Sequence, residues 1–135
     1  MGLDTSFDCW HGAYSSFNHW RTVVAKAAGI TLECMEGFGS GKWWDDDGEP
    51  GTVKWESLPP SPLHLLLNHS DCDGHLRWED CDAIADALEE LLPRLPGASN
   101  SYVRQLPPWG TYENTLRWIK GLRAAAKAQQ NVEFH

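Results

Sequence analysis

The sequence lacks a long hydrophobic run. Its longest apolar cluster, Leu65-Leu66-Leu67 next to Leu63, is far shorter than the roughly 20 residues that cross a bilayer. The first residues also lack the basic and apolar regions of a signal peptide. These absences predict a cytoplasmic protein with no membrane partner.

Basic residues are scarce. Eleven Lys and Arg stand against nineteen Asp and Glu, which gives a net charge of -8. Because the field of such a protein repels polyphosphate, we expect no direct contact with nucleic acid. The same charge suits a cation or a protein partner with a basic surface, although acidity by itself also maintains solubility.

Signatures of known catalytic sites are missing as well. The chain contains no C-x-x-C, no nucleophile elbow, no H-E-x-x-H and no dinucleotide fingerprint. The stretch 37–42 differs from a phosphate loop because its spacing is one residue short and Trp43 replaces the required Ser or Thr. These absences favour a binding protein over an enzyme.

Helical periodicity dominates what is present. The 135 residues are enough for one domain with one modest core. Apolar residues recur at helical spacing in 15–28, 78–95 and 111–128, and short strands are expected at 52–56 and 132–134. We therefore predict an α-rich α+β fold of three principal helices with a few short strands, in a single domain over 1–135.

The same periodicity predicts the core. The helix that begins near Trp78 should bury one face against the first and last helices, and this face comprises Cys81, Ile84, Ala85, Leu88 and Leu92. The expected inward face of the last helix comprises Tyr112, Leu116, Ile119, Leu122 and Ala126.

The stretch 37–51 holds five glycines and a proline, and we expect it to be a flexible loop. Its centre combines aromatic anchors with charge, which suits contact with a basic partner. The candidate binding residues are Lys42, Trp43, Trp44, Asp45, Asp46 and Asp47. The alternative is that Trp43 or Trp44 covers the edge of the core while the aspartates are solvated.

The twelve residues from His69 to Asp80 have the pattern of an EF-hand loop. The ligands of a hard cation such as Ca²⁺ would be His69, Asp71, Asp73, His75 through its carbonyl, and Asp80. Gly74 stands at the sixth place, where the loop turns sharply. The first place is His69 instead of Asp and the last is Asp80 instead of the longer Glu, so any calcium affinity should be weak.

Two other interpretations of this stretch remain open. A tetrahedral Zn²⁺ would use His69, Cys72, His75 and Cys81. Without an ion, Asp71 and Asp73 would bond local amides, Gly74 would take a positive φ, Cys81 would pack inward and the acidic residues would cap the following helix. The sequence therefore does not require a cofactor.

Three parts of the chain form a further pattern, which consists of Asn68-His69-Ser70-Asp71-Cys72-Asp73-Gly74 with Cys81, Gly37-Phe38-Gly39, and Gly121-Leu122-Arg123 with Val132-Glu133-Phe134. Together they resemble a group of small acidic proteins of actinobacteria and their phages. The similarity spans most of the chain. It implies an intracellular protein and no particular activity.

The resulting hypothesis is a small acidic intracellular binding or regulatory module that contacts a protein partner. The alternative is a metal-dependent enzyme or metal-binding protein, with Zn or Ca held by the loop His69–Asp80. The sequence makes no prediction of the oligomeric state.

Overall fold

Helices and short strands alternate along the chain. A computed structural model describes residues 2–32, 35, 53–69, 73–95 and 111–135. In these ranges, three principal helices and a few short strands confirm the predicted α-rich α+β fold. The strands and helices of these ranges are β1 (Gly2–Asp4), β2 (His11–Ala13), α1 (Tyr14–Ala27), α2 (Leu63–Leu67), β3 (His75–Leu76), α3 (Trp78–Leu91), α4 (Thr111–Ala128) and β4 (Val132–Glu133).

α1 ends at the glycine that the sequence marks. Gly29 has a φ of +84°, a conformation that glycine adopts without steric cost. The amide of Ile30 donates to the Ala25 carbonyl at 2.8 Å, and the amide of Gly29 donates to the Lys26 carbonyl at 3.0 Å. These are the paired bonds of a Schellman motif, and they satisfy the last carbonyls of the helix.

The strands form two small antiparallel pairs. β1 pairs with β2, which places Leu3 opposite Gly12, and β3 pairs with β4, which places Leu76 opposite Val132. The predicted terminal strand is present as β4. β2 is not predicted, because its sequence His11-Gly12-Ala13 has neither β-branched residues nor alternating polarity.

The segment after β4 connects the two pairs. Phe134 forms an isolated bridge with Thr5 and donates its amide to the Gly74 carbonyl at 2.9 Å. His135 and Asp4 exchange two backbone hydrogen bonds of 2.8 and 2.9 Å. The segment therefore fixes the residues that precede β3 to the first strand of the chain.

The buried face of α3 largely matches the prediction. Cys81, Ile84, Ala85 and Leu88 are fully buried. Leu92 is only half buried, because α3 ends at Leu91 and a 3₁₀ turn follows. This face packs mainly against α4.

α4 buries a different face from the predicted one. Ile119 and Leu122 are buried as expected, whereas Tyr112, Leu116 and Ala126 are half buried. The side chains that take their place in the core are Thr111, Thr115, Trp118 and Ala125. Trp118 is the largest side chain of the helix, and its burial determines the helix rotation.

Five aromatic rings form the centre of the core. Trp20 and Trp118 are stacked with centroids 5.4 Å apart, and Phe17 lies 6.0 Å from Trp20. Trp10 meets Phe17 edge to face at 5.5 Å, and Phe134 lies 6.0 Å from Trp118. Such pairs contribute about 0.5–1.5 kcal/mol each beyond the area that they bury. The cluster joins α1, α4, the residue before β2 and the segment after β4.

Gly121 lets α4 approach the turn after β1. A Cβ at this position would overlap the Cys9 Sγ and would lie 2.9 Å from the Phe7 carbonyl oxygen. The turn is held from the same helix by Arg117, whose Nε donates to the Asp8 carbonyl at 2.8 Å. The close approach therefore explains why this helix contains a glycine in its interior.

Two predictions concern the middle of the chain. The predicted flexible loop 37–51 lies outside the described residues. The strand expected at 52–56 is described from Val53 onward, where an isolated bridge joins Val53 to Met35 and a 3₁₀ turn follows at Trp55–Ser57.

Among the described helices, none combines the length and apolar character needed to cross a bilayer.

Candidate functional site

The predicted ion loop follows α2 directly. The amides of Asn68 and His69 still donate to carbonyls of that helix, at 2.9 and 3.2 Å. Gly74 has a φ of +89°, which confirms the predicted turn at the sixth place. β3 then continues from His75.

The imidazole of His69 lies across this turn. Its ring centroid is 4.0 Å from that of Phe134, and its Cε1 would be 3.3 Å from a Cβ on Gly74. Its Nε2 lies 2.9 Å from the carbonyl oxygen of His75. When Nε2 carries the proton, the ring donates a hydrogen bond to this carbonyl.

This contact joins two groups that face the ion in a filled EF-hand loop. There the first side chain and the carbonyl of the seventh residue are both ligands. Here the corresponding groups, His69 and the His75 carbonyl, contact each other. A cation bound in the EF-hand manner would have to displace the imidazole from this carbonyl.

The other described candidates are spread around the turn. Asp73 and His75 are exposed, and Asp80 is half buried in the first turn of α3. Within residues 2–32, 35, 53–69, 73–95 and 111–135, no three His, Cys, Asp or Glu side chains form a group that could hold a metal ion. Asp71 and Cys72 lie outside these ranges, so the calcium and zinc interpretations remain predictions.

Cys81 packs into the core, as the interpretation without an ion expects. Its Sγ donates to the Arg77 carbonyl at 3.3 Å. Burial raises the pKa of this thiol to about 11, and the nearby carboxylates of Asp80, Asp82 and Glu79 add to the rise. Because zinc binds the thiolate, Cys81 would first have to lose its proton against these effects.

Arg21 holds the chain that enters the turn, and sequence reasoning missed it. Its guanidinium is buried and donates from Nη1 to the carbonyls of Leu67 and His69, and from Nη2 to Asn18. It also lies 4.6 Å from the ring centroid of Phe17. The sequence does indicate that Arg21 is buried. Position 21 has helical spacing from Phe17 and Val24, so it lies on the buried face of α1.

Asn131 caps the start of α3. Its Oδ1 accepts a hydrogen bond from the Trp78 amide at 3.0 Å, and Arg77, which precedes the helix, provides no side-chain cap. Acidic residues were expected at the start of this helix. Glu79 and Asp80 lie in its first turn, near the positive end of the helix dipole. The tail of the chain, rather than the loop, supplies the cap.

α3 also carries a charged surface, which we call the acidic face. It consists of the exposed side chains of Glu79, Asp82, Asp86, Glu89 and Glu90. The sequence of α3 contains six carboxylates and neither Lys nor Arg. This concentration of charge was recognised in the sequence only at the start of the helix.

One guanidinium from α4 reaches three carboxylates of the acidic face. Arg123 donates from Nη1 to Asp82 at 3.1 Å, and from Nη2 to Asp86 and Glu89 at 2.8 Å each. These bonds, to Asp86 first and Glu89 next, raise the pKa of Arg123 above its ordinary value. The three carboxylates are 64%, 71% and 49% exposed, so each remains accessible from solvent.

The predicted partner-binding residues Lys42, Trp43, Trp44, Asp45, Asp46 and Asp47 lie outside the described residues. The described site thus comprises the turn before β3 and the acidic face that follows it in sequence. No family model, no curated protein and no solved structure matches the chain.

Proposed function

We propose that this chain is a small binding or regulatory module, and that its acidic face contacts a basic surface of a protein partner. The observation that carries the proposal is the excess of exposed carboxylates on α3 over the two described guanidinium groups that reach them, those of Arg123 and Arg77. The overall charge of -8 acts in the same direction.

The spacing of the carboxylates suits a linear basic segment. Asp82, Asp86 and Glu89 follow one another at intervals of four and three residues, so they lie on one side of α3. At a rise of 1.5 Å per residue they span about 10 Å along the helix axis. A partner helix with basic residues at the same intervals would place several cations opposite them.

Arg123 shows how the acidic face holds a guanidinium. Its side chain satisfies three carboxylates at once, through hydrogen bonds of 2.8–3.3 Å. Each carboxylate still has oxygen lone pairs available, because an ionised carboxyl group accepts several hydrogen bonds. A guanidinium of the partner would therefore find acceptors already positioned.

Peptide binding tests the proposal. The probe is a fluorescent helical peptide with arginines every three to four residues, and its neutral counterpart has glutamines at the same places. We expect the basic peptide to bind, the neutral one to fail, and the affinity to fall as salt screens the exposed charges. Measurable binding of the neutral peptide at the same affinity contradicts the proposal.

Matched variants locate the binding surface. Asp86→Asn with Glu89→Gln should weaken binding about tenfold, because two exposed ion pairs contribute up to about 1 kcal/mol each. Glu56→Gln with Glu133→Gln changes the net charge equally at exposed sites outside α3 and should leave the affinity unchanged. Equal weakening in both double variants would mean that only net charge matters.

A third variant changes the affinity in the opposite direction. Arg123→Gln removes the guanidinium that competes for Asp82, Asp86 and Glu89, so the basic peptide should bind more tightly. An unspecific effect of net charge is separated by Lys127→Gln, which removes one positive charge from an exposed position of α4. The affinity for the basic peptide must rise more in Arg123→Gln than in Lys127→Gln.

A further inference from the structure

A cavity of about 340 Å³ lies beside β2 and the first turns of α1 and α4. It shares no described residue with the acidic face. Its volume falls at the lower end of the range for small-molecule sites. Trp10 and Trp20 provide aromatic surface, and polar groups come from His11, Ser16, His19 and Asn114.

The cavity contains a buried donor that has no acceptor. The indole Nε1 of Trp10 is inaccessible to solvent and forms no hydrogen bond with the described residues, and the whole residue is 5% exposed. By contrast, the indole of Trp20 donates to the Thr115 hydroxyl at 3.0 Å. An unpaired buried N–H costs roughly the free energy of a lost hydrogen bond, so a ligand acceptor here would recover it.

Gly12 lies next to this donor. A Cβ on Gly12 would lie 3.5 Å from the Trp10 Nε1, so the missing side chain leaves space beside the N–H. Both Gly12 and Trp10 line the cavity. Position 12 therefore lies beside both the donor and the cavity.

The surroundings favour a negatively charged ligand. Among the described residues that line the cavity, none is acidic, although the protein as a whole has an excess of carboxylates. Ser16 and Asn114 lie in the first turns of α1 and α4, where helix dipoles attract anions. The first residue before α1, Ala13, offers no side-chain cap to the helix.

Asp4 is the nearby charge that opposes an anion. Its carboxylate contacts the Nδ1 of His11, and both side chains are largely exposed. His11, which lines the cavity, is thus a hydrogen-bonding partner of this carboxylate. Trp10 and His19 also line the cavity.

We propose that this cavity binds a small aromatic carboxylate. The ring would lie against the edges of Trp10 and Trp20 that line the cavity, and a small shift of the Trp10 indole on binding would bring its N–H to the carboxylate. This ligand class combines the planar apolar surface and the anionic acceptor that the lining requires. The inference is independent of the proposed contact between α3 and a basic partner.

Sodium benzoate is the test ligand, and ¹⁵N NMR of the indole N–H groups is the measurement. A fragment of this size should bind with a Kd of about 1 mM. The Trp10 N–H proton should move downfield and saturate as it gains an acceptor. Trp10→Phe and Trp118→Phe assign the two signals that matter.

Trp118 provides the internal control. Its indole N–H is also buried without a described acceptor, but the residue does not line this cavity. Its signal should stay in place during the titration. Equal movement of both signals, or no movement of the Trp10 signal up to the solubility limit of benzoate, overturns the proposal.

Two comparisons test the role of charge. Benzamide has the same shape without the charge, and it should bind several-fold more weakly; equal affinity overturns the anion assignment. Ser16→Glu places a carboxylate in the first turn of α1 and should weaken benzoate binding several-fold. Gln130→Glu adds the same charge at an exposed position outside the cavity. If both variants weaken binding equally, the cavity is not the site.

Discussion

The imidazole Nε2 of His69 lies 2.9 Å from the carbonyl oxygen of His75. The two residues occupy the first and seventh places of an EF-hand pattern, whose ligands normally meet at an ion. Phe134 packs against the outer face of the imidazole ring, and the Gly74 backbone lies against it as well. The described part of the turn is therefore organised by side-chain and backbone contacts.

Calcium titration tests this arrangement. We expect wild type to show no saturable change in Trp78 fluorescence below about 10 µM calcium, the range of sensor sites. His69→Asp should bind calcium more tightly than wild type, because it supplies a hard anionic oxygen and releases the His75 carbonyl. A wild-type response in the sensor range that Asp73→Ala abolishes would contradict this expectation and support the calcium site.

Gly74→Ala should destabilise the protein more than Gly29→Ala. Both glycines have a positive φ, so each substitution costs roughly 1–2 kcal/mol of backbone strain. Only at position 74 would the new Cβ also press on the His69 ring, at 3.3 Å, whereas nothing lies within 4 Å at position 29. Urea unfolding measures the difference, which should disappear when both variants are made in a His69→Ala background.

Leu88→Ala should lower the free energy of unfolding by about 2–5 kcal/mol, because the side chain is fully buried between α3 and α4. Leu65→Ala removes the same atoms from a side chain that is 46% exposed, and it should change stability by less than about 1 kcal/mol. Denaturant midpoints of the two variants provide the comparison. Equal losses would contradict the assignment of Leu88 to the core.

Alkaline pH should destabilise the fold through two buried thiols. Burial raises the pKa of Cys9 from 9.0 to about 12 and that of Cys81 to about 11. The folded state thus keeps protons that the unfolded state releases. Stability is fully present below pH 9 and declines as the pH rises toward these values, by up to about 1 kcal/mol per pH unit for each thiol.

Urea unfolding between pH 8 and pH 11 checks this decline, with Cys9→Ala plus Cys81→Ala as the control. The decline should be shallower in the double variant, because other groups that titrate in this range are unchanged. The same slope in both proteins would show that the two thiols do not contribute.

The helices were predictable because their periodicity and their stop signals agree. Gly29 ends α1 in the position that the sequence indicates, and α4 begins at Thr111 as predicted. The rotation of α4 was not predictable from apolar spacing alone. It depends on Trp118 stacking on Trp20, and on Thr115 accepting the Trp20 N–H, which are contacts between distant parts of the chain.

The turn of the candidate site could be predicted from the sequence, but the distant residues that hold it in place could not. The turn at Gly74 follows from local sequence, and its positive φ is as expected. Arg21 and Asn131 act on the site from α1 and from the tail, at separations that a local motif does not contain. The cap that Asn131 provides depends on tertiary structure, which brings the tail to the start of α3.

The central claim is that the acidic face of α3 is the surface that a basic partner contacts. Amide and arginine Nε–H chemical shifts, recorded by ¹⁵N NMR while the arginine peptide is added, test it most directly. The account predicts shifts concentrated in residues 79–90 and at the Nε–H of Arg123, which now lies 3.3 Å from Glu89. Shifts that are absent from α3, or spread equally over exposed acidic positions such as Glu56 and Glu133, would contradict it.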